Sequence, residues 1–275
     1  PTLYRVTLAP REMHTDCPPG GATVVYEQPL NERMRAFLRL EHLFRALWDK
    51  IEGVSEGDSR AAIAAIIDVT DLLWRSDIKG DLIKEIERQA ATFARLRSNP
   101  RVDSERLNET LVRLEGVLKQ IKDPSHQPGQ TVRQDELVGA VRQRIAIQGG
   151  TCSFDLPAFH YWLNRAPEHR VRDLERWVVD LRAMRDGIYA VLQAVRNCSD
   201  LAGLVAAGGF HQQSLEAGAT CQLIRIHLPL EARLFPEISA GRHRFTVRFL
   251  EQPKTTARAT QTARDVEFGL QCCLL

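Results

Sequence analysis

The chain has 275 residues, 44% of them hydrophobic, and a formal net charge of +2 at pH 7. That length suits one large domain or two modest ones with a true core, and the small charge gives no default case for nucleic acid as partner. No run of about 18 apolar residues is present, so no transmembrane helix is expected, and the polar N-terminal stretch lacks the apolar block of a secretory signal.

Residues 1–21 end in Pro-Pro-Gly-Gly and read as a disordered N-terminal extension. "ATVVYEQPL" then alternates like a strand and stops at Pro29. Asn31 is a good cap for an amphipathic helix whose apolar residues Met34, Phe37, Leu38, Phe44, Leu47, Trp48 and Ile51 recur at three and four. Helical patterns follow at about 59–75, 78–97 and 104–122, with Asn99-Pro100 breaking the last two apart. "RQDELVGAVRQRIAI" predicts a further helix ending at Gly149-Gly150, then a short helix at "LPAFHYWLN" and a long one from Pro167 to about Cys198. Gly187 inside the long helix costs about 1 kcal/mol against Ala without breaking it. Period-two alternation marks three closing strands, "TCQLIRIHLPL", "HRFTVRFLEQ" and "RDVEFGLQCCL", with "FPEISAGR" and "PKTTARATQTA" as their connections.

The fold class is therefore α+β. A helical domain over 31–204 is inserted into a discontinuous β domain formed by 22–30 and 205–275, whose strands most economically pair as a single antiparallel sheet. No internal repeat is present.

Several stretches carry candidate chemistry. "QGGTCSFDLPAFHYW" places Cys152 after two glycines with His160 eight residues on, the letters of a nucleophile and its base. Yet this segment lies between helices rather than at a strand-to-helix elbow. Asp155 with Pro157 reads as a helix start, Cys152 as a packed core thiol, and His160 as facing away from Phe159 and Leu163. The six cysteines (17, 152, 198, 221, 272, 273) show no ligand spacing, so they are expected to be reduced and free of zinc, and no cofactor is indicated.

Arginine supplies 31 of the 37 basic residues. A GC-rich genome explains this, and so does recognition of carboxylates by the guanidinium fork. Arg35, Arg39 and His42 form a stripe on the first helix. In "HRFTVRF" the residues Phe245, Val247 and Phe249 face the core, leaving Arg244, Thr246 and Arg248 on the outer face. The two arginines are taken to stand about 7 Å apart, with Arg225 available from a neighbouring strand and few acids to neutralise them. On these residues alone three classes stay open: a partner-binding protein, a nucleic-acid binder that lacks interleaved exposed aromatics, and a thiol hydrolase using Cys152.

"YEQPLNERMRAFLRLEHLF", "VRQRIAIQGGTCSFDLPAFHYWL" and "HRFTVRF", in this order, resemble the ZapD family of bacterial cell division proteins over about residues 24 to 273. The resemblance implies a cytoplasmic, non-enzymatic homodimer at the mid-cell Z ring, acting in septum assembly with no nucleic acid and no membrane as partner. It implies binding to the C-terminal tail of the tubulin-like GTPase FtsZ and bundling of FtsZ filaments. By motif position it implies partner contacts at Arg39, Arg75, His160, Arg244 and Arg248, with Arg35 and Arg225 as possible additions. Glu136 stands where relatives carry a basic residue, and exposed apolar residues from Trp177 to Leu192 are offered for the dimer surface.

Overall fold

The computed structural model describes residues 22–75, 77–97, 103–215, 221–241 and 243–274. The expected N-terminal extension and the Asn99-Pro100 break lie outside these residues. Strand β1 (Thr23–Pro29) leads into helices α1 (Glu32–Ile51), α2 (Glu56–Arg75), α3 (Ile78–Leu96) and α4 (Ser104–Lys122). Five shorter helices follow: α5 (Gln130–Gln134), α6 (Glu136–Arg144), α7 (Pro157–Leu163), α8 (Pro167–Val178) and α9 (Arg182–Arg196). The chain closes with β2 (Ala202–Ala206), β3 (Phe210–Ser214), β4 (Cys221–Pro229), β5 (Phe235–Ala240), β6 (Arg244–Glu251), β7 (Thr260–Gln261) and β8 (Val266–Leu274).

It divides into two compact units. One comprises Pro1–Arg35, Thr92–Leu111 and Leu192–Leu275; the other comprises Ala36–Ala91 and Val112–Val191.

The helices follow their sequence signals. Asn31 Oδ1 accepts from Met34 N at 2.8 Å, capping α1, and Met34, Phe37, Leu40, Phe44, Leu47 and Ile51 are buried at helical spacing. Two expected continuous helices are divided instead. Asp135 separates α5 from α6 because its side chain caps α6, accepting from Val138 N at 3.1 Å, and also accepts from Trp177 Nε1 at 2.7 Å. A 3₁₀ turn at Val179–Leu181 separates α8 from α9, and Asp180 within it accepts from the backbone N–H groups of Gly129 and Thr131.

Most of the expected dimer stripe from Trp177 to Leu192 is not exposed; of its large apolar residues Val179 alone is, at 57%. Trp177, Leu181, Met184, Ile188, Val191 and Leu192 are all buried within the chain. Gly187 permits part of this packing, since a Cβ there would lie 2.9–3.1 Å from the methyls of Ile121, Leu82 and Val117.

The strands form two antiparallel sheets rather than one. The first has the order β1-β4-β8-β2; the second has β3-β6-β5, with β7 also paired to β6. Their facing sides make one cluster from Ile224, Ile226 and Leu228 of β4, Phe245, Val247 and Phe249 of β6, and Phe268 and Leu270 of β8. The rings of Phe249 and Phe268 meet at 5.0 Å between centroids, and each buried Phe contributes roughly 1.5–3 kcal/mol. "FPEISAGR", expected as a connection, contains β5, where Pro236 is tolerated because β5 ends the sheet order.

A Leu at position 187 should force Ile121, Leu82 and Val117 apart. Gly187→Leu is expected to lower stability by about 1–3 kcal/mol in a denaturant titration, despite its better helix propensity.

Candidate partner-binding surface

The outer face of the second sheet is set by its register. Phe210 of β3 and Glu237 of β5 flank Arg248 of β6; Gln212 and Ser239 flank Thr246; Ser214 pairs with Arg244. Arg244 and Arg248 are exposed while Phe245, Val247 and Phe249 are buried, as alternation requires. Four residues apart at about 3.3 Å per residue, the two arginines stand about 13 Å apart rather than about 7 Å.

They differ in state. Arg248 is ion-paired to Glu237 across the strand, so the expectation of few neutralising acids fails there. Arg244 has no ion pair with any described residue.

Arg225 does not join this face. It lies on β4 of the other sheet, directly opposite Glu27 of β1, and donates to Glu27 Oε1 at 2.9 Å and Gln271 Oε1 at 2.7 Å. Arg196, the last residue of α9, grips the same carboxylate at 2.8 and 2.7 Å. Burial pushes the Glu27 carboxyl up, but the hydrogen bonds and charges of Arg196 and Arg225 outweigh it and hold it below its ordinary value. Arg225 is thus part of the frame. Arg35 is also engaged, with Glu32 one helical turn away at 3.2 Å.

In the helical unit, Arg39 on α1, Arg75 at the end of α2 and His160 on α7 are exposed and have no ion pair among the described residues. No hydrogen bond joins them to one another. His160 is placed by the opposite side of its helix, where Phe159 stacks on Trp162 at 6.0 Å and Trp162 meets Trp177 at 5.5 Å. Trp162 Nε1 donates to Asp173 at 3.0 Å. The chain leaving α7 is fixed by buried Arg170, which donates to the carbonyls of Leu163 and Arg165, the carbonyl of Val54 and Ser59 Oγ. Glu136 is exposed in the first turn of α6, where a carboxylate is favoured.

Cys152 does not resemble a nucleophile. It is half-buried rather than packed, and its Sγ donates to Asp155 Oδ2 at 3.3 Å. A catalytic thiol needs a basic or cationic neighbour, and this one has a carboxylate. Asp155 is not the cap of α7: that position is Leu156 with no side-chain bond, and Asp155 faces Arg144 at 3.6 Å. Among the described residues no group of three or more His, Cys, Asp or Glu could hold a metal ion, and no helix is long and apolar enough to cross a membrane.

Sequence reasoning missed the exposed aromatics. Phe154 and Tyr161 near His160, and Phe210 beside Arg248, are 84%, 73% and 42% exposed. Their sequence positions give no sign of this, because Phe154 lies in a turn and "FHQQS" is too polar to read as a strand.

The profile of the ZapD family, described as "Cell division protein", matches residues 38–248. The chain belongs to the ZapD family. It is 40% identical over 252 residues to "Cell division protein ZapD" of Methylococcus capsulatus, covering 92% of this chain and 98% of that protein. The ZapD of Nitrosomonas eutropha is 38% identical over 259 residues, covering 92% of this chain and all of that protein. The ZapD of Coxiella burnetii is 34% identical over 254 residues, with 92% and 98% covered. Membership of this family supports a role in cell division.

The two arginine states give a test on stability. Glu27→Gln should cost roughly 1–3 kcal/mol, because it leaves Arg196 and Arg225 half-buried without their anion, whereas Arg244→Ala should be nearly neutral. Glu27 is depressed in the folded chain, so its contribution is present above the ordinary glutamate value of about 4.5 and is lost as pH falls below it. Thermal melts of wild type and Glu27→Gln should therefore converge as the pH is lowered through that range.

Proposed function

We propose that this ZapD-family chain binds the C-terminal tail of FtsZ and crosslinks FtsZ filaments, acting as a cytoplasmic homodimer at the mid-cell Z ring. The observation that carries this reading is that Arg244 on the second sheet, and Arg39, Arg75 and His160 in the helical unit, are exposed with no ion pair among the described residues. A protein gains nothing for folding from such groups, and each is available to a carboxylate on a partner. Arg248 completes the sheet face, because an exposed pair such as Arg248–Glu237 contributes only about 0–1 kcal/mol and can be exchanged for a partner's carboxylate.

Magnitudes favour a bundling role over tight one-to-one binding. Each exposed arginine contact contributes roughly 0.2–1 kcal/mol, so a few of them give a weak bond per site. A dimer with one tail site per protomer converts weak bonds into a stable crosslink along a polymer by effective concentration. The reading involves no catalytic step, cofactor or nucleic acid.

Charge reversal at Arg244 or Arg248 should abolish co-pelleting with FtsZ filaments in a sedimentation assay while circular dichroism stays unchanged. Pelleting by the wild type should weaken as salt rises from about 50 to 300 mM, in keeping with screening of exposed charges. Bundling by both reversal variants at the wild-type level would remove the sheet face from the binding site.

A further inference from the structure

Phe210 is the first residue of β3, and the chain reaches it through two glycines in left-handed conformation, Gly208 at φ 55° and Gly209 at φ 70°. A Cβ on Gly209 would lie 2.6 Å from the Thr262 carbonyl oxygen, so the corner that aims Phe210 is fixed by close backbone contact. Register sets Phe210 directly across from Arg248, and the side chain is 42% exposed. A single exposed apolar residue is ordinary. This one differs because the position beside it on the same sheet face carries a guanidinium, and Arg244 lies further along the same strand with no ion pair to a described residue. The face carries two arginines against one acid, Glu237, and is complementary to an anionic partner.

We infer that Phe210 and Arg248 form one composite subsite, an apolar anchor beside a cation, which takes an extended acidic peptide bearing a large apolar side chain next to a carboxylate. This rests on the reading of the sheet face as a partner site and adds to it a requirement for an apolar residue. In an extended peptide laid along β6, the apolar side chain covers the Phe210 ring and the neighbouring carboxylate takes Arg248 in place of Glu237. A second carboxylate about 13 Å away meets Arg244, which corresponds to four extended residues. The apolar contact supplies what charge does not, since an aromatic anchor at the centre of a contact resists salt while exposed ion pairs do not.

The test is a double-mutant cycle read by NMR titration of the full chain. Two synthetic peptides serve as probes, each with glutamates four positions apart; one has a leucine beside a glutamate and the other has serine there. Wild type and Phe210→Ala are compared, with thermal melts confirming that both fold. Phe210→Ala should weaken the leucine peptide about tenfold and leave the serine peptide unchanged, and the leucine peptide should lose less affinity than the serine peptide as salt rises. Equal binding of the leucine peptide by both proteins, or no binding of it by the wild type, overturns the inference. FtsZ co-pelleting is scored separately. If wild type fails to pellet while the cycle holds, the FtsZ reading falls and the subsite stands. If wild type and Phe210→Ala pellet equally and the cycle shows no coupling, the subsite falls and the FtsZ reading stands.

Discussion

The β unit is closed by one carboxylate. Glu27, near the N-terminal side of the described chain, receives Arg225 from the strand beside it and Arg196 from the end of α9. Strand β1 must find β4 across nearly 200 residues of intervening sequence, and loop closure on that scale yields no reward until the contact forms. A two-arginine grip on a half-buried acid favours one register, because a slip by one residue would turn Glu27 to the other face and away from both cations. The ladder Glu27↔Arg225, Tyr26↔Ile226 and Val25↔His227 is the register that keeps this grip.

Once that frame is set, the arginines sort by role. Arg225 and Arg196 belong to the frame, and Arg170 in the helical unit satisfies the backbone carbonyls of Val54, Leu163 and Arg165. Arg244, Arg39 and Arg75 have no ion pair among the described residues. Arginine therefore occurs in two states, and only the partner of each guanidinium within the fold separates them.

Much of the fold was legible because its signals are local. Asn31 and the three-four spacing from Met34 to Ile51 define α1, and alternation in "RFTVRF" separates buried phenylalanines from exposed arginines. What depends on distant pairing was not legible. β2 is small and nearly featureless in "AGLVA", β3 is polar, and β5 carries a proline, so only their partners make them strands. With those strands unread, the second sheet could not be separated from the first. Arg225 was then assigned to a face it does not share, and Glu237 and Phe210 could not be seen beside Arg248. Likewise Asp135 reads as a helix-interior residue until the distant Trp177 donates to it.

The groups proposed for the partner, Arg248 excepted, carry charges with no ion pair among the described residues. Titration of a synthetic FtsZ C-terminal peptide into the isotope-labelled protein, followed by chemical shift mapping, addresses that assignment at residue level. Saturating, salt-sensitive shifts are expected at Arg244, Arg248 and their cross-strand neighbours, and at His160 and Arg39, with Arg225 and Glu27 unmoved. Shifts centred on Arg225 and the first sheet, or none on the second sheet at saturating peptide, would contradict it.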